Sequence, residues 1–262
     1  MKRMASLYLA IITILCLTAC TTTPKRTLSQ VGTIDALLAG HYDGSMTCQQ
    51  LIRKGDFGIG TFDKLDGEMV VFEKKVYQVK ADGKVYEPQP KLTTPFASIC
   101  KFIVDRSLVI NSPSDLAYIK SQIDKEYPSQ NIPLAIKIRG TFKYVKTRSV
   151  PAQTKPYRIL AEVTKKQPEF ERENVTGTLV GVRLPELMGK LNVPGYHLHF
   201  LSDDKTFGGH LLSADLEKGI VDISVQENLY VALPVQNEDF LKVNYEEDRS
   251  GQLYSVEQEQ RK

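Results

Sequence analysis

Residues 195–210 read Gly195-Tyr196-His197-Leu198-His199-Phe200-Leu201-Ser202-Asp203-Asp204-Lys205-Thr206-Phe207-Gly208-Gly209-His210. Tyr196–Leu201 predicts a strand, and the Ser202-Asp203-Asp204 and Gly208-Gly209 segments supply hairpin chemistry. Side chains two apart in an extended chain share a side, so His197 and His199 project together. A strand returning from the turn places His210 beside them. The chain has four histidines, and three of them lie in this segment. A single strand histidine is more often a satisfied polar residue than a ligand, but this clustering points to a metal. Three converging imidazoles leave a coordination position open, the arrangement of a catalytic rather than a structural zinc. Iron, manganese and nickel also accept imidazole. The fourth histidine, His41, has no such company and reads as a surface-loop residue.

Outward from the hairpin, most of the chain reads as strands. On the N-terminal side these are Phe57–Phe62, Glu68–Phe72, Val76–Lys80 and Lys84–Glu87, separated by Asp66-Gly67, Lys74-Lys75 and Asp82-Gly83. Further on they are Leu134–Arg139, Thr141–Thr147, Thr176–Leu184, His210–Asp215, Gly219–Gln226 and Leu229–Leu233. Two helices stand out. Residues 112–126 carry a Ser112 cap, Pro113 in the first turn, and Leu116, Ile119 and Ile123 on one face. Met46–Lys54 forms a second, with Ser45 as cap and Gly55 as stop. The pattern predicts a strand-rich α+β fold with few helices, its two β-sheet halves meeting near residues 128–150.

The N-terminus is a separate object. Lys2 and Arg3 precede an apolar run from Leu7 to Leu17, too short to span a bilayer but suited to a cleaved signal. Leu17-Thr18-Ala19-Cys20 resembles the lipobox of bacterial lipoproteins, which makes Cys20 the acylated first residue of an exported, membrane-anchored protein. The organisation is then a signal over 1–19, a tether over 20–32, an N-terminal half over 33–130 and a C-terminal half with the hairpin over 131–262. The whole chain has 34 basic and 31 acidic residues, and losing Lys2 and Arg3 takes the net charge from +3 to +1. No basic run interleaved with aromatics occurs, so nucleic-acid binding has no electrostatic footprint. Cys48 and Cys100 stand in an oxidising compartment, where a disulfide and two buried thiols are both open.

A second set of segments carries a resemblance. Gly55-Asp56-Phe57-Gly58-Ile59-Gly60-Thr61-Phe62, Leu65-Asp66-Gly67-Glu68-Met69, Thr94-Pro95-Phe96-Ala97 and Thr147-Arg148-Ser149-Val150 precede the histidine hairpin in the chain. In this order, from about Thr33 to Glu257, the chain resembles the alpha-acetolactate decarboxylases. The resemblance implies a mixed sheet beside a smaller barrel-like sheet, a homodimer, and conversion of 2-acetolactate to (R)-acetoin and carbon dioxide. It implies Zn2+ held by His197, His199 and His210, with Glu68, Arg148 and Glu257 as catalytic residues. Glu257 is matched within a variable tail that also holds Glu246, Glu247 and Glu259. The export signal, and Cys100 where another small residue is expected, depart from the family pattern.

These residue types suit the chemistry. Loss of carbon dioxide from a β-keto acid leaves an electron pair that a Lewis-acidic metal helps the substrate absorb. Arginine is always cationic and grips a carboxylate with a planar fork. The product then needs one proton from a positioned acid, a task for Glu68 or Glu257 if burial raises its pKa. Without the family segments, Glu68 would read as hairpin decoration and Arg148 as an ordinary ion pair. Two rivals stay open: another mononuclear metalloenzyme on a related β scaffold, and a non-catalytic lipoprotein binding domain.

Overall fold

In Glu68–Phe72, Val70 packs toward one side of its sheet while Met69 and Val71 pack toward the other. That period-2 alternation makes this strand a wall between two apolar layers. The computed structural model describes residues 26–257. Residues 1–19, read above as an export signal, and Cys20 lie outside the described residues.

The first sheet has seven strands. Their order is Asn228–Ala232, Thr27–Val31, Ala97–Cys100, Phe57–Thr61, Glu68–Phe72, Lys75–Val79 and Val85–Tyr86. The Thr27–Val31/Asn228–Ala232 pair is parallel and the remaining pairs are antiparallel, so the sheet is mixed. In the second sheet, Leu134–Arg148 lies between Glu169–Leu184 and Gly208–Val225. Gly195–Ser202 pairs with both of those outer strands, closing the four into a ring. Arg106–Ile110 and Ser114–Asp115 add to the free flank of Gly208–Val225.

Three apolar layers hold this arrangement. Leu134, Ile136, Phe142, Leu198, Phe200, Leu216 and Ile223 fill the ring, covered by Ile119 and Ile123 of the Leu116–Glu126 helix. Leu28, Ile59 and Val70 meet Ala135, Val180 and Leu201 between the sheets. Val31, Met69, Val71 and Ile99 pack under Leu51 on the outer face of the first sheet. Each fully buried side chain of this size contributes about 1.5–3 kcal/mol of hydrophobic stabilisation.

The strand-rich α+β reading, with its mixed sheet and barrel-like partner, matches the observed architecture. Several local expectations differ. Thr27–Val31 was expected inside the tether, but it is a strand whose Leu28 and Val31 enter the core. The boundary at 130/131 is crossed both ways: Asn228–Ala232 joins the first sheet, and Arg106–Ile110 joins the second. The longer helix starts at Leu116 with Asp115, not Ser112, as its cap. Ser114 and Asp115 are committed to pairing with Leu216 and Asp215, so the helix cannot begin earlier. For the same reason the 46–54 helix shrinks to Cys48–Leu51, capped by Thr47, because Met46–Thr47 pairs with Thr93–Thr94. Leu134–Arg148 is one strand through Gly140, where a Cβ would stand 2.3 Å from the Lys218 carbonyl oxygen. Cys48 and Cys100 are both free and buried, and His41 is a half-buried loop residue.

Candidate metal centre and active site

The histidine strand obeys the same alternation. Leu198 and Phe200 point into the ring, while Leu201, in step with His197 and His199, faces the first sheet. His210 lies directly opposite His199 in the antiparallel ladder, so the three imidazoles share one face. Their ring centroids are 5.0–5.3 Å apart, and one nitrogen from each lies within 4.8 Å of the others. Gly209 makes the approach to Arg148 possible. It has φ 129°, and a Cβ there would come 2.5 Å from the Arg148 carbonyl oxygen. The tight turn falls before the glycines rather than on them. Ser202 Oγ accepts from the Phe207 amide at 3.0 Å, Asp204 Oδ1 accepts from the Thr206 amide at 3.0 Å, and Lys205 has φ 56°.

Glu68 and Val70 share a side of their strand, which carries Glu68 toward the histidines. Its Oε2 is 3.6 Å from His199 Nε2. The next residue supplies a second contact: His199 Nδ1 lies 2.9 Å from the Met69 carbonyl oxygen. A carbonyl only accepts, so Nδ1 carries the proton and Nε2 presents a lone pair, the orientation common among metal-ligating histidines. Arg148 ends its strand directly opposite His210 and is 7% exposed. Among the described residues no carboxylate lies within ion-pair distance of it. Glu257, at the end of the Ser250–Glu257 helix, places Oε2 3.6 Å from His197 Nε2 and 3.9 Å from His210 Nε2. All six residues expected from the sequence therefore converge.

Burial sets the protonation states. It lowers His197 to about 3 and holds His199 and His210 well below the usual imidazole range, with Arg148 adding its positive charge against all three. All three are thus neutral and able to donate lone pairs at neutral pH. Burial likewise raises Glu68 to about 8, against the Arg148 charge, and pushes Glu257 upward. Three buried atoms of these groups, His197 Nδ1, His199 Nε2 and Glu257 Oε2, have no hydrogen-bond partner among the described residues. An unpaired lone pair in the interior is costly, and a cation among the three histidines would satisfy His199 Nε2. The donor set fits a metal of imidazole preference.

The cavity lined by Glu68, Arg148, His197, His199 and Glu257 has apolar walls of Ile34, Leu37, Leu65, Phe96, Leu160 and Val256, with Thr61, Thr164 and Gln167 as further polar residues, while His210 lines the neighbouring groove. None of these wall and further polar residues stands out in the sequence as a site residue: Thr61, Leu65 and Phe96 belong to the family segments, whereas Ile34, Leu160 and Gln167 carry no local signal. Residues 28–247 match the alpha-acetolactate decarboxylase family model. The chain belongs to the alpha-acetolactate decarboxylase family. The alpha-acetolactate decarboxylase of Methanosarcina mazei is 43% identical over 230 residues, covering 88% of this chain and 80% of the relative. That of Brevibacillus brevis is 39% identical over 238 residues, covering 91% and 83%. The crystal structure of alpha-acetolactate decarboxylase from Bacillus subtilis superposes with a TM-score of 0.86 at 36% identity, covering 88% of this chain and 99% of that one. Within this decarboxylase family the match to the model ends before Glu257, so that residue's place in the site rests on its geometry.

Proposed function

We propose that this chain decarboxylates 2-acetolactate to (R)-acetoin and carbon dioxide, with zinc held by His197, His199 and His210. The observation carrying this reading is the meeting of three neutral histidines, two carboxyls and an arginine with no ion-pair partner among the described residues, all but His210 lining one largely apolar cavity. Family membership supplies the substrate class, since the relatives are named for acetolactate. Bound there, zinc supplies Lewis-acid stabilisation of charge developing on the substrate's oxygens.

The protein's own groups divide the rest. Arg148 offers its guanidinium to the substrate carboxylate and orients the bond to be broken. When that carbon–carbon bond breaks, its electron pair moves onto the neighbouring ketone, leaving an enediolate. The apolar walls keep bulk water away, so the proton comes from the enzyme. Glu68 and Glu257 stand beside different histidines, and burial keeps both carboxyls protonated further up the pH scale than usual. Either can deliver the proton to the hydroxyl-bearing carbon, and delivery from a fixed direction makes one enantiomer. We further propose that the protein is exported, lipid-anchored through Cys20 and homodimeric. Among the described residues no helix is long and apolar enough to cross a membrane. The deciding experiment measures acetoin formed from 2-acetolactate by the purified protein, before and after chelation and after zinc is restored. Protein with a full metal site and no acetoin would refute the proposal.

A further inference from the structure

Glu257 reaches the site from the end of a short C-terminal helix. The Ser250–Glu257 helix is eight residues long, and Val256 is its one buried residue among those described. A helix this short does not persist on its own; Val256 and the partly buried Leu253 dock it onto Ile34, Leu37, Leu160 and Val163, a contact that holds the helix down but does not by itself set its tilt. Just before it sits Arg249, 7% exposed and paired with Asp35, 3% exposed. Arg249 Nη1 donates to Asp35 Oδ2 at 2.8 Å and to the Asn244 carbonyl at 2.9 Å, and Nη2 donates to Glu247 at 2.5 Å. Beside this pair, Tyr245 and Thr33 hydroxyls meet at 2.9 Å. Asp35 belongs to the Ile34–Leu38 helix, whose Ile34 and Leu37 form part of the cavity wall.

We propose that the buried Asp35–Arg249 ion pair is the latch that registers Glu257 over the metal site, which makes both members positioning residues for the reaction proposed above. The lever is short and sensitive. Eight residues at 1.5 Å rise put Glu257 about 12 Å from the latch, so a tilt of about 10° there moves its carboxyl by about 2 Å. That displacement is comparable with the slack in its 3.6 and 3.9 Å approaches to His197 and His210. A buried ion pair adds little net stability compared with apolar residues of the same volume, and its best attested use is to fix register. Glu257 also forms part of the wall of a second, outer groove with Ser250, Leu253 and Tyr254. The latched helix thereby partitions the cavity from that groove.

The test compares Arg249→Met, Arg249→Lys and Glu257→Gln, and the Arg249→Met/Glu257→Gln double variant, in the full metal-loaded protein. Arg249→Met should retain its metal, because the three histidines sit on other elements, while turnover falls roughly tenfold to a hundredfold from misplacement of the carboxyl. In the Glu257→Gln background the same change should cost no more than about a further twofold. Arg249→Lys should recover part of the loss. Hydrogen exchange of the 250–257 amides should accelerate in Arg249→Met while the histidine strands stay protected. This readout judges the latch even if the wild-type protein makes no acetoin, the outcome that would sink the functional reading alone. Multiplying losses in the double variant, or unchanged exchange over 250–257, would overturn the proposal. If Arg249→Met does not fold, Asp35→Asn takes its place; failure of every variant to fold would also overturn it, since the pair would then hold the domain rather than the helix.

Discussion

Replacing Arg148 by lysine isolates the geometry of its guanidinium from its charge. An exposed arginine paired with a surface acid contributes about 0–1 kcal/mol, so lysine there would be nearly silent. Arg148 is instead buried, opposite His210, with no carboxylate in ion-pair range among the described residues. Lysine keeps the positive charge that opposes the upward shifts of Glu68 and Glu257. What it cannot keep is the second parallel N–H to a carboxylate. One charge-assisted hydrogen bond lost in a desolvated site is about 1.5–3 kcal/mol, or about a tenfold to 150-fold fall in kcat/KM. Acetoin should be followed by its colour reaction, zinc by elemental analysis, and enantiomer ratio by chiral chromatography. The expected result is the stated loss with metal content unchanged and product less enantiomerically pure. Turnover within about twofold of wild type, with product chirality intact, would refute the assignment of Arg148 to the substrate.

Three further expectations are open to measurement. His199→Ala removes one of three ligands, so zinc and acetoin formation should disappear together while far-UV dichroism stays near wild type; metal-free protein with full turnover would contradict it. The metal-free protein should be most stable near pH 6.5, as read from urea midpoints between pH 4.5 and 8.5. Below the ordinary histidine value of 6.5 the unfolded chain takes up protons that the buried His197, His199 and His210 refuse, so acid destabilises the fold. Glu68 has the opposite sign: its folded-state value of about 8 stabilises fully below 4.5, and that contribution is lost as pH rises toward 8. From 4.5 to 6.5 the three histidines outweigh the carboxyls, so stability rises with pH; above 6.5 Glu68 reverses the slope. Midpoints still climbing at pH 8 would disprove this balance. Finally, Cys20→Ser should abolish fatty-acid labelling in a bacterial host and move the protein out of the membrane fraction; a wild-type protein that is never labelled would end the lipobox reading.

What the sequence determined by itself was local or carried by motif. Period-2 alternation puts His197 and His199 on one face, and a turn eight residues long at most returns His210 to them; both follow from backbone geometry over a few residues. Family segments marked Glu68 and Arg148, and Glu257 was matched only within a variable tail, yet nothing local showed that they would meet. The tertiary structure decided that, because the meeting depends on pairings between distant stretches such as Arg148 with His210 and Thr27 with Asn228. It also overruled local capping: Ser45 and Ser112 are sound caps, but neighbouring backbone groups are taken by Thr93–Thr94 and by Asp215–Leu216. A backbone N–H can serve one ladder or one helix, and the longer-range partner took it. Thr27–Val31 reads as tether because a short polar-flanked run cannot reveal a parallel partner two hundred residues away. The Asp35–Arg249 pair is of the same kind, two ordinary charges in the sequence that only the folded chain brings together and takes out of water.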